Sequence, residues 1–374
     1  MRFHEITKPI IDEGGESSGV RYNSEVAIMC AMVGADVESF DPTKPEKSLP
    51  AELFDNPKRV YEDIKKLLAK NYEPKLFRQW YEKTLEYIDA MYYKLEEYGG
   101  TLDKVGWAGG ANQAENAADI AFVDHPIAGI SVKAEGGITL ANLTPKALGL
   151  TPEKGDDIFY HYAQSEFVAM KRKIFKDVLD EAREQPGVPL VPLSEKYTIV
   201  YNPKTDTFIC TGKTVLDANE ETILRDLAKN SPWQRVFGDW FQANWQAKKA
   251  YATPLFNKIA KEFEKVIENH LQDSSKLAHM LRFAKEPYFY FSKSGLYFVP
   301  TKDDVSDLQL RGLQYGAPDG TSQLFVAEIG RPSSEENAQL DIYVRYANGM
   351  FETNPTVRVQ TLRNPQFIGW EKLG

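Results

Sequence analysis

The stretch ADIAFVDHPIAGISVKAEGG, residues 118–137, predicts a β-hairpin. Two short runs rich in Ile, Val and Ala flank the turn segment DHPIAG, and two glycines end the second run. Because alternate residues of a strand face the same side of a sheet, the second run divides into a polar face and an apolar face that should join the core. The polar face holds Ser131, Lys133 and Glu135, and the apolar face holds Ile130, Val132 and Ala134.

Asp119 lies on the first strand of this hairpin, on the side opposite to Ile120 and Phe122. A short hairpin can therefore bring Asp119 beside Lys133 on the polar face. One carboxylate, one ammonium group and a nearby oxygen ligand suit a magnesium ion (Mg²⁺) and a water molecule. The metal would polarise a phosphate, while the lysine would orient the water or stabilise developing charge.

The spacing of Asp119 and Lys133 resembles the core motif of the PD-(D/E)XK, or restriction-endonuclease-like, superfamily. In that family an Asp lies on the first strand of a hairpin and an (Asp/Glu)-x-Lys sequence lies on the second. The resemblance implies a mixed central sheet flanked by helices, phosphodiester hydrolysis and Mg²⁺. It implies that Asp119 binds the metal and that Lys133 is the catalytic lysine, while Ser131 stands where the family normally has Asp or Glu.

The serine at this position is a poor metal ligand, so another acid is expected to complete the site. The three candidate metal ligands are Glu25, Glu115 and Glu135. Glu25 is preferred, because a carboxylate on an otherwise apolar helix needs a partner if it is buried. Without such a replacement, weak or absent activity is expected.

Helices are predicted on the N-terminal side of the hairpin. Residues 25–33 form an apolar helix that Asn23 or Ser24 can cap, that ends at Gly34 and that should be buried. Helical spacing of apolar residues continues over residues 57–70 and 74–98, and Gly99 stops the second of these helices.

On the C-terminal side, a long helix is predicted at residues 156–184 and a hairpin at 195–216. Residues 217–284 have a helical pattern, and strands follow from Pro287. The predicted fold class is α/β (α+β): a mixed central sheet flanked by helices, a helical insertion and a strand-rich C-terminal part. The predicted domains are a nuclease core over 1–216 with a helical insertion at 57–98, a helical region over 217–286 and a possible DNA-recognising lobe over 287–374.

Composition narrows the function classes. Both cysteines lie among apolar residues, so two buried thiols in a reducing cytoplasm are expected, with neither a disulfide framework nor a Cys-rich zinc motif. The start has no apolar signal core, and no window is apolar enough to span a membrane. The net charge of −9 argues against tight nonspecific DNA binding, although basic groups can still line one cleft.

Basic residues outside the hairpin are candidates for DNA contacts. A basic cluster on the predicted long helix is expected either to contact phosphates or to form a solvated face. It comprises Lys171, Arg172, Lys173 and Lys176. Arginines of the C-terminal part can read guanine edges or form surface salt bridges; they are Arg331, Arg345, Arg358 and Arg363. The overall expectation is a magnesium-dependent DNA endonuclease, site-specific if this lobe reads bases, and by analogy a homodimer.

Other interpretations remain open. KAEG at residues 133–136 resembles the Lys-x-(Asp/Glu)-Gly core of covalent nucleotidyltransferases, in which Lys133 would attack a nucleotide phosphate, but the later signals of that family are missing. The hairpin can also be purely structural, with a surface lysine and a turn-capping Asp119. A third possibility is a noncatalytic DNA-binding or assembly protein. The glycine-rich residues 106–116 can approach phosphate closely.

Overall fold

A computed structural model describes most of the chain as helices and strands of a mixed α/β protein. The described residues are 18–107, 118–133, 139–143, 145–150, 158–190, 198–212, 215–225, 232–243, 245–316, 322–345 and 356–373. The helices are α1 (Ser18–Met32), α2 (Pro57–Asp63), α3 (Pro74–Tyr98), α4 (Ile158–Glu184), α5 (Glu220–Arg225), α6 (Pro232–Ala243), α7 (Trp245–Leu271) and α8 (Ser274–Met280).

The strands in chain order are β1 (Lys104–Trp107), β2 (Ile120–Val123), β3 (Gly129–Lys133), β4 (Thr139–Leu143), β5 (Thr198–Asn202), β6 (Thr207–Thr211), β7 (Leu216–Ala218), β8 (Tyr288–Ser292), β9 (Gly295–Val299), β10 (Gln309–Tyr315), β11 (Ser322–Gly330), β12 (Asn337–Arg345), β13 (Thr356–Arg363) and β14 (Glu371–Leu373). They form three sheets of six, five and three strands.

The six-stranded sheet carries the predicted hairpin near its centre. Its strand order is β1-β2-β3-β8-β9-β14. The pair β3–β8 is parallel, and every other neighbouring pair is antiparallel. In the hairpin Ile120 lies opposite Ile130, so the register places Asp119 opposite Ser131. β3 therefore has a strand on each side and is shielded from solvent along most of its length.

The two faces of this sheet belong to two hydrophobic cores. One core joins α1 and α3 to the sheet through Ile120, Phe122, Ile130, Val132, Phe289 and Phe291. The opposite core takes Tyr288, Tyr290, Tyr297 and Val299 from the sheet and also contains side chains of α4, α6 and α7. Successive residues of β8 and β9 lie alternately in the two cores. This two-residue alternation is expected for strands that are buried on both faces.

The five-stranded sheet is antiparallel, with the order β10-β11-β12-β13-β4. Its edge strand β4 follows the hairpin in the chain, whereas the other four strands lie in the C-terminal part. Conversely, β8, β9 and β14 complete the sheet that β1–β3 begin. Strand pairing thus crosses the boundaries of the three predicted domains, and the domain division itself stays a prediction.

Local predictions agree well with the helices and strands. The helix predicted at 74–98 is α3, Pro74–Tyr98, and the predicted long helix corresponds to α4. Val26 to Met32 of α1 are buried as expected, and Gly34 adopts a φ of +65° just after the helix. The strand β4 was not predicted, and β7 lies at the start of the region predicted to be helical.

The predicted cap of α1 is wrong. Asn23 and Ser24 lie inside the helix, which already includes Ser18. Asn23 Nδ2 donates to the carbonyl of Asn71 at 2.7 Å, and its Oδ1 accepts from the amide of Glu73 at 3.0 Å. Its polar side chain thus ties α1 to the segment before α3, a long-range contact that local sequence does not reveal. Among the described helices, none is long and apolar enough to cross a membrane.

Candidate active site

Asp119 is held at the start of β2 by contacts to β3. Its amide donates to the carbonyl of Ile130 at 2.8 Å, and its Oδ2 accepts from the amide of Val132 at 2.7 Å. The hydroxyl of Ser131 donates a longer hydrogen bond, of 3.4 Å, to the same oxygen. The carboxylate is 2% exposed, so these donors replace the water that it loses. Asp119 and Ser131 therefore form one polar cluster.

Glu25 reaches the same region from α1. It is 1% exposed. Its Oε1 accepts from Nε of Arg21 at 2.7 Å, one helical turn earlier, and its Oε2 accepts from Nε1 of Trp107 at 2.7 Å. Trp107 ends β1, directly beside β2. Both carboxylate oxygens are thus held in place by donors from two different elements.

The guanidinium of Arg21 connects the two acids. Its Nη2 lies 3.7 Å from Oδ1 of Asp119, while its Nε contacts Glu25. The side chain of Arg21 is 31% exposed, so one edge of this cluster opens to solvent. Glu25, the acid preferred from the sequence, therefore does share a cluster with Asp119, and the contact runs through an arginine.

Burial and, after it, the negative charge of Asp119 raise the pKa of Glu25, while Arg21 and the Trp107 hydrogen bond lower it; the net result is a rise from 4.5 to about 8. For Arg21, burial acts to lower the pKa, but the two carboxylates outweigh it and leave its pKa above the ordinary value. One positive charge is thus shared by two acids, so Glu25 holds a proton at a pH where an ordinary glutamate has lost it.

Lys133 lies at the far end of β3 and is half-buried. It pairs with Ser292 of the parallel strand β8, and alternation places it on the same side as Ser131. It forms no ion pair with Asp119. The structure thus brings Asp119 and Ser131 into contact and links Glu25 to Asp119 through Arg21. Lys133 lies two residues beyond Ser131 on the same strand.

The donor set fits Mg²⁺ in chemistry. This ion takes oxygen ligands and is usually held by one or two carboxylates together with waters. Asp119 and Glu25 provide two carboxylates, and Ser131 provides a hydroxyl. The described residues contain no group of three or more His, Cys, Asp or Glu side chains suited to a metal. The other candidate ligands, Glu115 and Glu135, lie outside the described residues.

Arg21 and Trp107 are the residues of this cluster that the sequence analysis did not assign. The i, i+4 spacing of Arg21 and Glu25 on a helix is a usable signal for the salt bridge. No comparable signal links Trp107 to Glu25, because the contact depends on how α1 packs against β1. The glycine-rich segment 106–116 is described only through Trp107.

One basic residue predicted to touch phosphate or face solvent does neither. Lys171 is 0% exposed, and its Nζ donates to Oε1 of Gln234 at 2.7 Å and to the hydroxyl of Tyr160 at 2.9 Å. It also lies over the ring of Phe167, 4.4 Å from the ring centroid. The prediction for Lys171 is wrong, because the amphipathic pattern of α4 does not show that a second layer covers this side.

Other proposed nucleic-acid contacts have structural partners. Arg331 forms an ion pair with Asp307. Arg363 binds both oxygens of Asp341 through its Nη2, at 2.9 and 3.0 Å. Arg331 and Arg363 therefore form salt bridges within the protein, which was the alternative to reading guanine edges.

Comparisons with protein-family models, curated proteins and solved structures return no match for this chain.

Proposed function

We propose that this chain is a magnesium-dependent DNA endonuclease. The observation that carries the proposal is the cluster of Glu25 and Asp119 beside Ser131, with Lys133 two residues along the same strand. The sequence motif identified Asp119, Ser131 and Lys133, and the presence of Glu25 in the same cluster supports the proposal, because the motif lacks a second carboxylate. The mixed sheet with helices packed on it is consistent with the restriction-endonuclease-like resemblance.

In this proposal the residues of the cluster hold the substrate and the reactive water. Bound Mg²⁺ would supply Lewis-acid stabilisation for the charge that develops on the phosphate. Asp119 and Glu25 would hold the metal through the oxygens that now face Arg21. The ammonium of Lys133 would orient the attacking water, and Arg21 would move toward its solvent-facing side to leave room.

A noncatalytic DNA-binding or assembly protein is the second candidate. Two observations favour it: Arg21 already pairs with both acids, and a serine occupies the position of the usual acid. In this candidate the cluster is a structural ion-pair network that joins α1 to the sheet. A covalent nucleotidyltransferase using Lys133 is a further alternative, for which adenylylation of that lysine is the signature.

Cleavage of DNA by the whole protein tests the proposal. Methylated and unmethylated plasmid and long linear DNA would be incubated with Mg²⁺ or with EDTA and separated on a gel. We expect cleavage with Mg²⁺ only. Asp119→Asn and Lys133→Ala should each abolish it, and discrete bands would identify a site-specific enzyme. Double-strand cuts would fit the homodimer expected by analogy, which sedimentation measures.

Lys104→Ala is the matched control, because Lys104 is an exposed lysine on β1 of the same sheet. It should cleave like the wild type. Intact protein that binds DNA but leaves every substrate uncut would support the noncatalytic candidate. Radiolabel transferred from ATP to the wild type but not to Lys133→Ala would support the nucleotidyltransferase.

A further inference from the structure

The five-stranded sheet has one face in the core and one face that solvent reaches. Phe325, Ile342, Val344, Val357 and Val359 point into the core and are fully buried. The residues that alternate with them on β12 and β13 include Tyr343, Arg345 and Arg358, which are half-buried or exposed. This outer face is therefore polar and accessible where β12 ends.

Two arginines share this end of the outer face. Arg358 lies directly opposite Tyr343, and Arg345 lies two residues further along β12, opposite Thr356. They are thus diagonal neighbours on adjacent strands, at a spacing of about 7–8 Å between Cα atoms. Side chains as long as arginine can reach the same ligand from these positions.

Neither arginine forms an ion pair with any residue that the structure describes. In this they differ from Arg331 and Arg363, whose charges are met by Asp307 and Asp341. Partial burial lowers the pKa of Arg358, and the charge of Arg345 lowers it further. Two like charges held side by side repel each other, and an anion placed between them would relieve that repulsion.

We infer that Arg345 and Arg358 form a phosphate-binding face that contacts the sugar–phosphate backbone of DNA. The inference rests on the proposed function, because it takes DNA as the substrate. The shape of the sheet favours contact with the DNA backbone over reading of base edges. The major groove admits a helix or a two-stranded ribbon, and both arginines lie on inner strands of a five-stranded sheet that is too broad to enter it.

The chain path places this face within reach of the candidate active site. β13, which carries Arg358, pairs with β4, and Asn142 of β4 is opposite Arg358. Asn142 lies nine positions after Lys133 in the chain, so their Cα atoms are at most about 32 Å apart. One turn of B-DNA is roughly 34–36 Å long. A single duplex could therefore contact both regions, and the arginine pair would hold DNA that the other site cuts.

Salt-dependent binding of the whole protein to short duplexes tests the inference. Affinity would be measured by fluorescence anisotropy in EDTA, between about 50 and 200 mM salt. For the double variant Arg345→Gln/Arg358→Gln, the slope of log K against log salt should become shallower by about 1.8, because each phosphate contact contributes about 0.9. The loss should be equal on GC-rich and AT-only duplexes, since backbone contacts carry no sequence information.

The matched control is Arg59→Gln/Arg78→Gln, which removes the same charge from two exposed arginines of α2 and α3. Its slope should equal that of the wild type. If the double variant fails to fold by circular dichroism, Arg345→Gln alone, at an exposed position, should lower the slope by about 0.9.

Three results would overturn the inference. If the slope is unchanged in the double variant while the wild type still cleaves DNA with Mg²⁺, the arginine pair does not bind phosphate and the nuclease proposal stands. Loss of affinity only on GC-rich duplexes would assign the arginines to base reading. Wild-type protein that binds no duplex at any salt concentration and cuts none would remove both proposals together.

Discussion

Nε of Arg21 lies 2.7 Å from Oε1 of Glu25, one turn further along α1, while Nη2 of the same guanidinium lies 3.7 Å from Oδ1 of Asp119. A salt bridge within one helix thus extends to a carboxylate on the central sheet. Because both acids are buried, the free-energy cost of burying them depends strongly on the guanidinium of Arg21 between them.

Arg21→Gln should lower the free energy of unfolding by about 2–3 kcal/mol. Removing one partner of a fully buried pair costs roughly 3–5 kcal/mol, and the partial exposure of Arg21 reduces that cost. Denaturant unfolding at neutral pH measures the change. Arg59→Gln, which breaks the more exposed Arg59–Asp63 pair, should cost about 0–1 kcal/mol. Equal losses in the two variants would show that Arg21 does not stabilise the buried acids.

Glu25 should make stability fall as pH rises. Its pKa is raised from 4.5 to about 8 on folding, so the folded state holds a proton that the unfolded state has released between these values. The stabilising contribution is therefore complete below about pH 4.5 and is lost as pH rises through about 8.

Glu25→Gln tests this dependence, because glutamine keeps the shape of the protonated acid and cannot ionise. Relative to the wild type, the variant should gain free energy of unfolding between pH 5 and pH 8. The exposed Glu62→Gln serves as the control and should follow the wild type across the range. A constant difference between Glu25→Gln and the wild type would contradict the shifted pKa.

Gly129→Ala should disrupt the hairpin that positions Asp119. Gly129 has a φ of +140°, and a Cβ at this position would lie 1.9 Å from the carbonyl oxygen of Ile120. The backbone must move to accept it, so we expect a loss of at least about 2–3 kcal/mol in the free energy of unfolding. Gly312→Ala, where a Cβ meets nothing within 4 Å, should cost much less. Comparable losses of unfolding free energy at both positions would contradict the close approach of Gly129 to the carbonyl oxygen of Ile120.

Both cysteines should resist alkylation in the folded protein. Cys30 and Cys210 are fully buried, and burial raises the pKa of Cys210 to about 11 and that of Cys30 higher still. The thiolate is the reactive species, so modification should proceed at the rate of unfolding and reach two thiols per chain in denaturant. Ser39→Cys, at an exposed position, should react at once. Rapid native labelling of a second thiol in that variant would contradict the burial.

Hydrophobic periodicity predicted the helices and strands of this protein well where the pattern within one element is enough to identify it. α3 ends where Gly99 interrupts the helical spacing, and the alternation of Ile130 and Val132 correctly predicted that both side chains lie in a core. It also correctly predicted that the apolar part of α1 is buried. Lys171 is the exception, because the pattern of its own helix gives no sign of the residues from other elements that cover it.

The amino-acid sequence by itself determined the local elements and the hairpin with Asp119 and Ser131 on opposing strands. It also identified Glu25 as a candidate metal ligand. Only the tertiary structure decided that β3 pairs with β8 from the distant C-terminal part, that β4 joins β13, and that Arg21 lies between Glu25 and Asp119. The physical reason is that a repeat of two or 3.6 residues records which face is apolar. Which strand satisfies the free backbone groups, and which cation meets a buried carboxylate, depends on residues far apart in the chain.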